Sequence, residues 1–152
     1  MTCRRAAANS LSAPPGVWAG VDGLRIEQVL INLLDNAIKY SPAGGSIEVE
    51  VDVHPSASDV VEVAVRDHGL GIPPDKRGQI FERFYQAHAD AHTSGMGLGL
   101  YISRHIVELH GGDIRLEFPP DGGTRVVVRL PTAPAEPAGS TAWTESSSPS
   151  AA

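Results

Sequence analysis

Asn32 and Asn36 stand one helical turn apart in the stretch NLLDNAIKYS, whose leucines and isoleucine read as the packing side of a helix. Asparagine is a mediocre helix former, because its amide competes for nearby backbone groups. Two of them on one face therefore need a reason. Gln28 shares that face, and Lys39 or Tyr40 follows Asn36 at helical spacing. Amide oxygens ligate hard cations such as Mg2+, and a lysine ammonium can meet a phosphate. One asparagine would read as a solvated helix face. Two in register with Lys39, flanked by leucines, read as a site that holds oxygen ligands.

A second place is Asp67, followed at once by Gly69 and Gly71 in DHGLGI. Period-two alternation sets Asp67 on the same strand face as Val61, Val63 and Val65. A carboxylate at the core-facing end of a strand must find donors or it is costly. Two readings stay open: a cap for the loop that follows, or a buried acceptor for a ligand's amino group. The glycines let the backbone pass close to something flat. A third place is SGMGLGL, which opens a later helix. Gly95, Gly97 and Gly99 there leave N–H groups where the macrodipole favours anions. The spacing is neither that of a P-loop nor that of a dinucleotide fingerprint, and Leu98 between the glycines is expected to pack under the helix. In IFERFYQ, Arg83 stands on an otherwise apolar turn from which it could reach a phosphate, while Phe81 and Phe84 read as satellite packing. His88 and His92 have a spacing that could hold a metal on a helix. No third ligand stands nearby, so a lid over a ligand fits that polar stretch better than zinc.

The elements that must position these residues follow from periodicity. Asp22 can cap a helix in which Leu24, Ile26, Val29, Leu30, Leu33, Leu34, Ala37 and Ile38 form a broad apolar face. SIEVEVDV alternates strictly and DVVEVAVRD follows it as a second strand. DIRLEF and TRVVVRL are two more, joined by the turn sequence PPDGG. A helix from about Leu98 to Leu109 is stopped by HGG. The fold class is α/β (α+β): a two-layer sandwich with helices on one face of a mixed, mostly antiparallel sheet.

The totals fit one domain. In 152 residues, 41% are apolar, and 12 Lys+Arg against 18 Asp+Glu leave a net charge of −6. An acidic surface argues against nucleic acid or an anionic membrane as the main partner. The apolar runs fall short of the roughly 20 residues a spanning helix needs, so no direct membrane contact is expected. The single cysteine, Cys3, fits a cytoplasmic setting. Three segments are expected: a disordered or truncated N-terminus over 1–16, the domain over 17–131, and a disordered Pro/Ala/Ser-rich tail over 132–152, in which Trp143 reads as a stray aromatic.

Taken in order, these places resemble the catalytic ATP-binding domain of bacterial sensor histidine kinases, within the superfamily shared with gyrase-type ATPases, Hsp90 and the mismatch-repair ATPases. RIEQVLINLLDNAIKYSP resembles the family's N box, DHGLGI its first glycine box, FERFYQ its F box, GMGLGLYIS its second glycine box, and GGTRVVVRLP its closing strand. The resemblance implies a Bergerat-type ATP-binding fold, with ATP and Mg2+ as ligands. Asp67 would accept the adenine amino group, with Gly69 and Gly71 shaping the base pocket and Thr124 behind it. Asn36, helped by Asn32, would hold Mg2+. Lys39 would contact phosphate and Tyr40 would line the nucleotide. Gly95, Gly97, Leu98 and Gly99 would form the phosphate-facing edge of a lid, and Arg83 would help neutralise charge. The ATP-hydrolysing relatives look to hold a glutamate at the place of Asn32. An amide cannot act as general base, which fits phosphoryl transfer to another protein better than hydrolysis.

The resemblance further implies a γ-phosphoryl acceptor on a separate histidine phosphoacceptor/dimerisation domain, and indirectly a response regulator. None of His54, His68, His88, His92, His105 and His110 has the acceptor's setting, so this chain alone is not expected to be an autokinase. His68 replaces the family's usual asparagine. Ser94 replaces a glycine. CRRAAANSLSAP does not alternate, so the sheet is expected to lack its N-terminal strand. Alternatives are a serine kinase resembling anti-sigma factors, and a truncated, non-catalytic nucleotide-binding remnant.

Overall fold

The computed structural model describes residues 7–53, 59–88 and 95–132. Cys3, His54, His92, Ser94, Trp143 and the tail beyond Thr132 fall outside the described residues.

Helix α1 (Gly23–Lys39) starts where its capping residue places it: the Asp22 carboxylate accepts from the Leu24 and Arg25 N–H groups, at 3.0 and 3.3 Å. Val29, Leu33 and Ala37, four residues apart, form its buried stripe. The apolar face is narrower than the sequence suggests. Leu24 and Ile38 lie on the far side of the helix with Ile31, at 79%, 47% and 51% exposure. Gln28, Asn32, Asn36 and Lys39 occupy a third face, about a quarter turn from the buried one. That intermediate face is where a ligand can be met from rigid backbone.

The five strands are β1 (Ala7–Ser12), β2 (Ser46–Val53), β3 (Val60–Asp67), β4 (Asp113–Glu117) and β5 (Thr124–Pro131). They lie in the order β1-β2-β3-β5-β4, antiparallel except for the β1–β2 pair. The expectation of a missing N-terminal strand is corrected by β1, which falls inside the segment expected to be disordered or truncated. Its register with β2 shifts between Ala8 and Ser10. An edge strand held by backbone pairing and interrupted by such a shift has no need of alternating side chains, so the pattern gave no sign of it.

Ile47, Val65, Val126, Val128 and Leu130 line the sheet's inner face and pack with α1 and with Ile106 and Val107 of helix α2 (Gly99–Leu109). The opposite face is charged: Arg125 pairs with Glu117 and Glu50 at 2.7 and 3.2 Å, and Arg129 with Glu62 at 3.3 Å. One sheet face is thus dedicated to the core and one to solvent, as the alternation requires. His110, closing α2, accepts the Asp22 N–H at Nε2 (3.1 Å) and donates from Nδ1 to the Ile106 carbonyl (2.7 Å), tying the end of α2 to the start of α1. A 3-10 segment over Pro74–Gln79, which the pattern did not announce, links β3 to FERFY. No helix among the described residues is long and apolar enough to cross a membrane.

Candidate functional site

Between α1, the start of α2 and the ends of β3 and β5 lies a cavity of 320 Å3, within the range of small-molecule sites. Asn32, Asn36 and Lys39 line it from α1, Tyr40 from the residue that closes α1, Asp67 from the end of β3 and Gly71 from the loop after it. Thr124 lines it from β5, and Gly95, Gly97, Leu98 and Gly99 from the approach to α2. Four segments far apart in sequence therefore meet at one concave surface.

Asp67 is buried at 7% exposure and lies opposite Thr124 in the β3–β5 register. Its Oδ1 accepts the Gly69 N–H at 2.9 Å. The two readings of this residue are compatible: the carboxylate caps its own loop and still faces the cavity. Burial raises its pKa, and hydrogen bonds from the Gly69 and Thr124 backbone oppose that rise. A ligand amino group is best accepted by the ionised form. Affinity for such a ligand is therefore expected to fall as pH drops through a value above that of an ordinary aspartate. The sign in the free protein is opposite. A carboxyl whose pKa is raised on folding binds its proton more tightly when folded, so its contribution to stability weakens as pH rises between the two values. Ligand titrations and urea unfolding, each repeated from neutral to acid pH, should show these opposing trends.

At the other end, the Asn32 amide donates to Ser103 Oγ at 3.4 Å, and Ser103 is fully buried in α2. Gly99 passes close to the Asn32 side chain: a Cβ there would sit 3.9 Å from Asn32 Cγ. Leu98 stands at the N-cap of α2 and makes no side-chain cap hydrogen bond, which leaves the helix start suited to an anion. Gly95 runs beside the ammonium of Lys39, 2.6 Å from where its Cβ would be. Amide oxygens from Asn32 and Asn36, one lysine and an uncapped helix start make a donor set that fits a polyphosphate with a hard divalent cation. No group of three or more His, Cys, Asp or Glu that could hold a metal occurs among the described residues.

Two expected site residues are placed elsewhere. Arg83 is outside the lining: it donates to the Tyr101 hydroxyl at 2.6 Å and lies over that ring, 4.6 Å from its centroid. Gly69 is also outside, and its small size serves packing, because a side chain would collide with the Tyr40 carbonyl oxygen. Phe84 is not satellite packing. It is 70% exposed with φ at 61°, a conformation uncommon for a bulky residue, and Gly97 packs against its backbone. His68 lies outside the lining, with Nε2 3.1 Å from Glu48 Oε1.

Tyr85 and Gln86 carry no local signal of a site, and the spacing of His88 points to a lid or a metal. All three line the cavity. Lys76 pins this wall by donating to the Ala87 carbonyl at 2.6 Å, and Arg77 holds the glycine loop through the Ile72 carbonyl at 3.0 Å.

A family profile described as "Histidine kinase-, DNA gyrase B-, and HSP90-like ATPase" matches residues 21–134. The chain belongs to this ATPase family. Among its relatives, the sensor protein KdpD of Escherichia coli (strain K12) is 42% identical over 128 residues, which are 82% of this chain and 14% of KdpD. The chain thus spans only a small part of the curated relatives it matches. Of the solved structures, the catalytic domain of histidine kinase ThkA aligns with a TM-score of 0.68 and 32% identity, covering 82% of this chain and 78% of that one. Full-length ShkA in complex with AMPPNP aligns with a TM-score of 0.70 and 28% identity over 83% of this chain and 26% of its own. The five-stranded mixed sheet with helices on one face, seen among the described residues, is the fold of histidine kinase catalytic domains.

Proposed function

We propose that this chain is the ATP- and Mg2+-binding catalytic module of a sensor histidine kinase. It transfers the γ-phosphoryl group of ATP to a histidine on a dimerisation/phosphoacceptor domain, from which a response regulator is phosphorylated in turn. The observation that carries this reading is the convergence on one cavity of Asp67 with Asn32, Asn36, Lys39 and the uncapped start of α2. Support also comes from ShkA, a structural relative that binds AMPPNP. Where ATP and Mg2+ are supplied, in the cytoplasm, the module needs neither nucleic acid nor membrane contact to work.

Asp67 accepts the adenine amino group, with Gly71 and Thr124 shaping the base pocket around it. Tyr40 lies beyond them, and burial raises the pKa of its phenol. Asn36 and Asn32 offer amide oxygens to Mg2+, which when bound neutralises phosphate charge. Lys39 and the backbone over Gly95, Gly97, Leu98 and Gly99 meet the phosphates. The acceptor imidazole nitrogen forms a bond to the γ-phosphorus as the bond to the ADP oxygen breaks. An imidazole with a free nitrogen lone pair needs no base to attack. The absence of a carboxylate at position 32 suits that acceptor and disfavours activation of water.

Incubation with γ-labelled ATP, Mg2+ and separately supplied histidine phosphoacceptor domains tests this. The expected result is acid-labile label on the acceptor histidine. Release of labelled phosphate to water, with none of the label on any acceptor, would contradict it.

A further inference from the structure

We propose that His88 is a base-contacting residue that makes, with Tyr40, one aromatic wall of the nucleotide cavity. The inference rests on the nucleotide reading above and deepens it. Both side chains line the cavity, and their ring centroids are 5.7 Å apart with planes tilted by 45°. His88 is anchored to the place the base occupies: its Nε2–H donates to the Gly71 carbonyl at 2.8 Å. Gly71 needs its positive φ of 66° to direct the loop there.

The order of groups along the cavity assigns the wall to the base. Lys39, at the phosphate end, lies 5.4 Å from the Tyr40 ring. Tyr40 is followed by His88 on Gly71, and Gly71 lies against Gly123, which precedes Thr124, the register partner of Asp67. A flat heteroaromatic ring that presents its amino group to Asp67 therefore lies against the Tyr40–His88 corner. Aromatic faces hold a base through stacking, independently of its hydrogen-bonding edge.

The test compares binding of a non-hydrolysable ATP analogue and of inorganic tripolyphosphate, both with Mg2+, to the wild-type chain and to three variants. His88→Ala is expected to weaken the ATP analogue about tenfold and leave tripolyphosphate unchanged. His88→Phe, which keeps a ring and loses the hydrogen bond to Gly71, should restore most of the loss. His88→Gln, which can keep the hydrogen bond without a ring, should not. Equal loss of both probes, an unaltered affinity in His88→Ala, or rescue by Gln and not Phe would each overturn the proposal. A folded wild-type chain that binds neither probe would overturn the nucleotide reading itself, an outcome separate from the variant results.

Discussion

Asp67→Asn is expected to weaken binding of a non-hydrolysable ATP analogue by about 10- to 100-fold without weakening the fold. The carboxylate accepts from the Gly69 N–H at 2.9 Å and is also held by the Thr124 backbone. An ionised carboxylate has oxygen lone pairs left for a ligand amino group. An amide has one oxygen, and its NH2 must face either a backbone N–H or the ligand's own amino group. One donor then faces another. Hydrogen bonds to charged groups contribute about 1.5–3 kcal/mol, and each 1.4 kcal/mol is roughly tenfold. Stability should behave differently. Burial already opposes the charge on Asp67 and raises its pKa, so a neutral amide relieves that penalty. Calorimetry and urea unfolding on the same variant would show lost affinity beside unchanged or raised stability. A variant that unfolds would mark Asp67 as a structural residue instead.

Asn36→Ala should have its main effect on a different quantity. Asn36 lines the cavity one turn from Asn32, with Lys39 on the same face of α1. In the proposed mechanism its oxygen holds Mg2+, which acts on charge in the transferring phosphoryl group. Removing one such stabilising contact costs about 100- to 1,000-fold in rate where the group acts mainly in the transition state. Phosphoryl transfer to a supplied histidine domain is therefore expected to fall by about that factor. Affinity for the nucleotide without Mg2+ should stay nearly the same, because Asp67 and the aromatic wall remain. If transfer persists at the wild-type rate and Mg2+ still strengthens binding, Asn36 is not the metal ligand.

The buried elements were legible because their side chains repeat. Ile47, Val49, Val51 and Val53 alternate in β2, and the Asp22 cap with Val29, Leu33 and Ala37 defines α1. The residues that converge on the cavity were legible through composition that packing does not explain: two asparagines in a leucine-rich helix, and glycines beside Asp67 and before α2. What escaped depends on contacts between distant segments or on backbone alone. The β1 strand is defined by backbone pairing with β2 across a register shift. His88 reaches Gly71 from 17 residues away. Arg83 is drawn to Tyr101 on the surface of α2, a pairing no local pattern encodes. Leu24 and Ile38 counted as apolar in the helix pattern, yet the helix turns them to solvent. Their exposure is set by which neighbours α1 finds, and it packs on the sheet and α2 through Val29, Leu33 and Ala37, with Ile26 and Leu34 beside them.

Calorimetric titration of the purified chain with a non-hydrolysable ATP analogue, with and without Mg2+, tests the central claim most directly. Saturable binding at one site, strengthened by Mg2+, is the expected result. A folded chain that takes up no nucleotide under either condition would contradict it, and the cavity between α1, α2 and Asp67 would then need another ligand.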